Sequence, residues 1–175
     1  MYKRQLVLDA IKALGYKYAT VGSLTVSVAD IKIPPMKQQL LDETDKKVAH
    51  VNEMFAEGLL SEDERYSRVI NLWNTCTNTL RDQILPNLDP FNPIRMFTDS
   101  GARGSAAQVS QLAGMRGLMA SPTGKTVELP IRANFREGLN VQEFFLSSHG
   151  SRKALSDTAM TVSYTHLTLP TSDLV

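Results

Sequence analysis

Ser121 to Thr126 reads SPTGKT and ends, on Gly-Lys-Thr, as a phosphate-cradling loop would. Such a loop needs another glycine five residues before the Gly-Lys pair to begin its backbone cradle, and Met119 stands there instead. No strong strand leads into it, so the residues favour a hairpin turn. GARG, Gly101 to Gly104, lacks the spacing of a dinucleotide fingerprint and follows no buried strand. Ser148 and His149 are neighbours, so on a helix they point about 100° apart, and no acid stands where it would orient the histidine. A helix-face histidine accounts for the pair. Cys76 is the single cysteine, which leaves no internal disulfide or thiolate metal cluster and makes a reducing compartment the default. It reads as a small core filler and His50 as a packed or solvated helix residue.

The arginines carry more. Arg103 and Arg116 lie in a stretch punctuated by Gly101, Gly104, Gly114 and Gly117, followed by a helix bearing Arg152 and Lys153. Glycines permit positive φ or close backbone approach. With cations beside them they suit a surface that faces a nucleic-acid backbone. A solvated basic face fits the same residues.

Charge is divided between the elements that must position these groups. From Pro35 to Leu85 there are six Lys and Arg against nine Asp and Glu; from Arg95 to Lys153 there are eight against four. The acidic part is two helices. Leu41, Thr44, Val48, Val51 and Phe55 repeat at spacings of three and four, as do Tyr66, Val69, Trp73, Cys76 and Leu80. Pro35 suits the first turn of the first helix and Gly58 ends it; Ser61 and Glu64 form a capping box for the second, which Pro86 halts. Each seam should bury the other in an antiparallel hairpin, with the surplus acid on the outer faces. Before it, Leu6 to Leu14 has helical spacing and meets Gly15, and Leu24, Val26 and Val28 alternate as a strand would. After it, Pro86 to Phe97 reads as a bent connector, the glycine-rich stretch as a flexible loop, and a further helix opens near Asn140, with Val141, Phe144, Phe145 and Leu146 on its apolar side. No stretch approaches the roughly 18 apolar residues of a membrane span. The expectation is a mainly α chain: a helical hairpin, an irregular glycine-rich loop region, a truncated long helix and few short strands.

Four stretches, DSGARGS, QLAGMRGLM, ANFREGLNV and SSHGSRKALSDTA, resemble the largest catalytic subunit of bacterial RNA polymerase, the β′ subunit, and the resemblance spans Leu6 to Ala159. It implies a short helix and strand of the secondary-channel region over 6–33 and a rim-helix hairpin over 34–86, beside the pore through which nucleotides enter. It further implies a connector and F loop over 87–130 and the start of the bridge helix over 131–160. By the same resemblance Ser100, Gly101, Arg103, Gly104, Gln111 and Arg116 belong to the F loop. Arg152, Lys153 and Thr158 become active-centre or nucleic-acid-facing residues of the bridge helix, and none of them a catalyst. Implied partners are the other polymerase subunits, DNA and RNA, and regulatory factors at the rim helices; no membrane is implied, and the location is cytoplasmic. The family's magnesium loop, NADFDGD, and its trigger loop are missing from this sequence. Magnesium is therefore expected in the intact enzyme and no cofactor on this segment, which should be inactive alone. A reading of a different class is a stand-alone coiled-coil interaction protein without enzymatic activity.

Both ends break the pattern. VSYTHLTLPT, Val162 to Thr171, is the translation of a transposon-end sequencing adapter in one frame, and the reverse complement of that adapter's opening gives YKRQ after a GTG start. Residues 1–5 and 161–175 are accordingly expected to be translated adapter, which removes His166 from any catalytic set.

Overall fold

The computed structural model describes residues 2–121 and 124–167, with side chains for 4–121 and 124–160. Among the described residues six α-helices and one 3-10 helix follow in order, and the β structure is two isolated bridges. The mainly α expectation holds.

The hairpin organises the rest. Helix α2 (Lys37–Ala56) and helix α3 (Glu62–Asn87) pack antiparallel. Gly58, at φ +78°, turns the chain between them, with its N–H donating to Phe55 O. Ser61 caps α3 as expected: its hydroxyl accepts from Glu64 N, and the Glu64 carboxylate accepts from Ser61 N at 3.1 Å. Val69, Trp73, Cys76 and Leu80 are buried against Leu41, Thr44 and Val51. Met115, from beyond the hairpin, completes that cluster at 0% exposure. The buried Thr44 hydroxyl donates to Leu40 O at 2.7 Å, which satisfies the one polar seam position. Phe55 departs from the expected seam. It is exposed, and the Arg65 guanidinium lies 5.4 Å above its ring.

Pro86 sits inside the last turn of α3 and does not halt it ahead of itself. Leu88 then begins a second cluster with Ile84, Ile94, Val109 and Ala113. The latter three come from α4 (Pro93–Asp99) and α5 (Ala106–Ala113), two short helices where a connector and a flexible loop were expected. Both start from caps. Asn92 accepts from Ile94 N ahead of Pro93, and Ser105 forms a capping box with Gln108. A sequence period needs two turns or more to be visible; a cap needs four residues.

Helix α1 (Tyr2–Val21) runs through Gly15, because an isolated glycine costs a helix only about 1 kcal/mol. The expected strand after it is replaced by extended chain and a 3-10 turn, Val28–Asp30, capped by Ser27. Alternation at Leu24, Val26 and Val28 finds no partner strand to pair with among the described residues. Helix α6 (Val141–Leu167) opens as expected, with the Asn140 N–H donating to Glu143 at 3.0 Å. Val141, Phe144 and Phe145 are nonetheless exposed. Of the stretches expected to be foreign, Met1 and 168–175 lie outside the described residues. The backbone of α1 includes 2–5 and that of α6 continues through 161–167. Threonine, valine and serine weaken a helix by fractions of a kcal/mol each, about 0.5, and do not stop it.

Candidate functional site

The hairpin positions the downstream chain by a row of ion pairs. Arg65 donates two hydrogen bonds to Glu128, at 2.7 and 2.9 Å, and this raises its pKa above the ordinary guanidinium value. Arg132 donates two to Asp45, both 2.8 Å, and Lys37 pairs with Glu137 at 2.5 Å. The Tyr66 hydroxyl donates to Thr126 O at 3.0 Å. Residues 126–137 are thus strapped across α2 and α3. Asp45 faces this strap, so the hairpin's acid is not all on outer faces.

The strap in turn holds the glycine-rich segment. Arg116 N donates to Ala133 O, and Gly117 and Ile131 exchange backbone hydrogen bonds at 3.0 and 2.9 Å. Asn134 is fully buried; its amide nitrogen donates to Ala113 O and Gly114 O, and its oxygen accepts from Glu137 N at 2.7 Å. Phe135 N donates to Gln111 O. Asn134 lies in the ANFREGLNV stretch, but no period or cap there marks it as buried. Gly114 and Gly117 show the two uses of glycine: at Gly114 a Cβ would meet Ile84 Cδ1 and Ser110 O at 2.9 Å, while Gly117 adopts φ +85° against Thr77.

An open groove of about 590 Å³ lies over α4 and α5. Arg103, Gly104 and Gln111 line it together with Phe97, Leu112 and Phe135. Arg116 adjoins it, its guanidinium 4.8 Å over the Phe135 ring and its Nε buried without a partner. Ser100 caps the end of α4, its hydroxyl donating to Phe97 O, and Gly101 and Gly104 turn the loop at φ +68° and +83°. The expected loop residues are therefore brought to one place. Arg152, Lys153 and Thr158 are not; they are exposed on α6, where the Thr158 hydroxyl donates to Ala154 O at 2.7 Å.

The remaining chemistry is quickly placed. Ser121 N donates to Lys125 O and Val127 N to Met119 O, flanking a turn at Gly124 of φ +91°, the hairpin expected in place of a phosphate loop. The Ser148 hydroxyl donates to Phe145 O and His149 packs edge-on against the Phe145 ring, so the two do not act as nucleophile and base. Cys76 is buried, and His50 is exposed with Nδ1 3.8 Å from Glu53. Among the described residues no three His, Cys, Asp or Glu side chains gather in one place. No helix among them is long and apolar enough to cross a membrane. Of the eight cations from Arg95 to Lys153, Arg132 binds Asp45, Arg95 binds Asp99 and Leu88 O, Arg136 binds Ile31 O, and Lys125 lies 5.9 Å over the Tyr66 ring. Arg116 lies over the Phe135 ring, and Arg103 and the α6 pair are exposed.

Residues 60–136 match the family model of RNA polymerase Rpb1, domain 4. The chain is 54% identical over 154 residues to the DNA-directed RNA polymerase subunit beta′ of Caldicellulosiruptor saccharolyticus, which covers 88% of this chain and 13% of that protein. It is 55% identical over 158 residues to the subunit of the same name from Clostridium tetani, covering 90% and 14%. The chain spans about one seventh of the length of these relatives.

Proposed function

We propose that this chain, whose residues 60–136 match the family model of RNA polymerase Rpb1, domain 4, is an internal segment of a β′ subunit, at work in transcription. What carries the reading is that similarity to β′ subunits extends over most of this chain, far beyond the hairpin. That extent also disfavours a stand-alone coiled-coil protein, for which only α2 and α3 would need to match.

In this reading α2 and α3 are the rim helices of the secondary channel, the segment around α5 is the F loop, and α6 is the first half of the bridge helix. The fold supports the division of labour. The ion-paired strap fixes the loop on the hairpin, and the loop leads by Asn134 into the start of α6. Exposed Arg152 and Lys153 would meet nucleic-acid phosphates as α6 crosses the cleft, and so support translocation and nucleotide loading. Template-directed nucleotidyl transfer belongs to the intact enzyme, whose magnesium neutralises charge on the reacting phosphates. Its ligands would come from elsewhere in the subunit. Partners are the other subunits, DNA and RNA, and regulatory factors at the hairpin, in the cytoplasm.

The test is assembly. The full-length subunit carrying this segment, co-expressed with the other polymerase subunits, is expected to co-purify with them and to extend an RNA primer on a DNA template. Failure to assemble overturns the proposal.

A further inference from the structure

The groove over α4 and α5 has an apolar floor, Ile94 and Val109 at 7% and 5% exposure, and walls that include Phe97, Leu112 and Phe135. Arg103 is the only charged residue lining it, and no acidic partner faces that guanidinium among the described residues. Gly101 and Gly104, both at positive φ, turn the chain tightly on either side of Arg103, whose N–H donates to Phe97 O at 3.5 Å.

An apolar groove left in water is unfavourable in proportion to its area. Covering it with apolar side chains alone would strip water from Arg103 and leave a charge unpaired. The favourable occupant supplies both carbon and a carboxylate. The groove is open, so it suits a chain lying across it better than an engulfed small molecule. Because this chain spans only 13–14% of its relatives, most of the polypeptide that would surround the groove belongs to the rest of the assembly.

We propose that this groove docks an acidic, apolar polypeptide segment of the assembled polymerase, its carboxylate paired with Arg103 and its apolar side chains packed on Ile94, Val109 and Phe135. The proposal rests on the polymerase reading above. Docking of this kind would fix the loop between α4 and α5 from its outer side, while Asn134 holds the far end of α5.

The test uses the full-length subunit in the assembled enzyme, with p-benzoylphenylalanine in place of Phe97. The expected result is one photo-crosslinked polymerase segment in which Asp or Glu lies among apolar residues. Arg103→Glu should lower the crosslink yield by about tenfold with assembly intact, as loss of a buried charge pair requires. Reversing the crosslinked acid to Lys should restore it. Gln108→Glu, which preserves the cap of α5, sets a rival carboxylate beside Arg103 and should lower the yield too. Assembly with no crosslink, a crosslinked segment without an acid, a crosslink to a second copy of the subunit, or a yield indifferent to Arg103→Glu overturns this inference and leaves the polymerase reading standing. Failure to assemble overturns that reading instead.

Discussion

Arg132 reaches across 87 residues of sequence to grip Asp45 with two hydrogen bonds of 2.8 Å, and the same guanidinium lies 5.4 Å over the ring of Trp73. The pair is half-exposed, so its Coulombic part is small and screened by salt. The cation–π contact is to a buried ring and is screened less. Arg132→Lys keeps the charge and loses the fork and the guanidinium's contact with Trp73, so it should destabilise by about 1 kcal/mol. Asp45→Asn should cost less, about 0.5 kcal/mol, and its effect should fade in high salt. Denaturant unfolding of the variants at low and high salt checks both.

Gly114 and Gly117 should fail for different reasons. A Cβ at Gly114 meets the Ile84 side chain and a backbone carbonyl at 2.9 Å, which the packed core of α3 and α5 cannot yield, so Gly114→Ala should cost about 2–3 kcal/mol. Gly117→Ala meets Thr77 less closely at 3.3 Å, but its φ of +85° is left-handed, for about 1–2 kcal/mol. Shortening the far neighbour separates the causes. Ile84→Val should partly rescue Gly114→Ala, and Thr77→Ser should do little for Gly117→Ala.

What the sequence displays is what repeats or caps within a few residues. The hairpin was legible because its seams recur from Leu41 to Leu80 and because Gly58, Ser61 and Glu64 punctuate them. The loop arginines stood out by their glycines, and Gly101, Gly104 and Gly117 do have positive φ. Helices α4 and α5 escaped because they are seven and eight residues long, and their signals, Asn92-Pro93 and Ser105 with Gln108, are caps that the glycines nearby obscured. The strap was illegible in principle. Arg65 with Glu128 and Lys37 with Glu137 are 63 and 100 residues apart, and nothing local selects one carboxylate over another. The groove joins α4 and α5 to Val26 and Phe135, which nothing local in the sequence links, so it was hidden as well.

The start of α3 should respond to acid. Hydrogen bonds from the Ser61 N–H and hydroxyl, with Arg68 nearby, hold the Glu64 carboxyl below its ordinary value. A depressed folded pKa means that the cap's electrostatic contribution is present above the unfolded pKa and is lost as pH falls through the folded one. Amide exchange at the first turn of α3 should therefore quicken as pH is lowered through the carboxylate range, beyond the intrinsic trend. Glu64→Gln should keep the reciprocal cap and abolish that dependence, whereas Ser61→Ala should raise the Glu64 pKa toward its ordinary value, as read by carboxyl NMR titration.

Arg152 and Lys153 carry the nucleic-acid prediction. Each exposed cation that sits on a phosphate releases counterions when it binds. In the assembled enzyme Arg152→Ala and Lys153→Ala should each lower the slope of log affinity against log salt by about 1 and weaken binding without regard to sequence. Binding of the assembled enzyme to a DNA–RNA scaffold, measured across a salt series, reads this directly. Unchanged slopes would place α6 away from the nucleic acid.

Asn134 should be the most costly polar residue to remove. It is fully buried, and three backbone groups depend on it: the carbonyls of Ala113 and Gly114 at the end of α5 and the N–H of Glu137. Asn134→Ala leaves these buried groups without their side-chain partner, and should cost about 2–4 kcal/mol. Asn134→Asp is nearly the same size and keeps the acceptor for Glu137 N. It replaces the donor by a carboxylate oxygen facing two carbonyls, so it should be at least as damaging at neutral pH. Lowering the pH should recover part of that loss, because the carboxylic acid that N134D presents once protonated regains one donor. Denaturant unfolding of N134A and N134D at neutral and acidic pH separates a role in hydrogen bonding from one in filling space: only the first predicts that acid narrows the gap between the two variants and restores N134D above N134A.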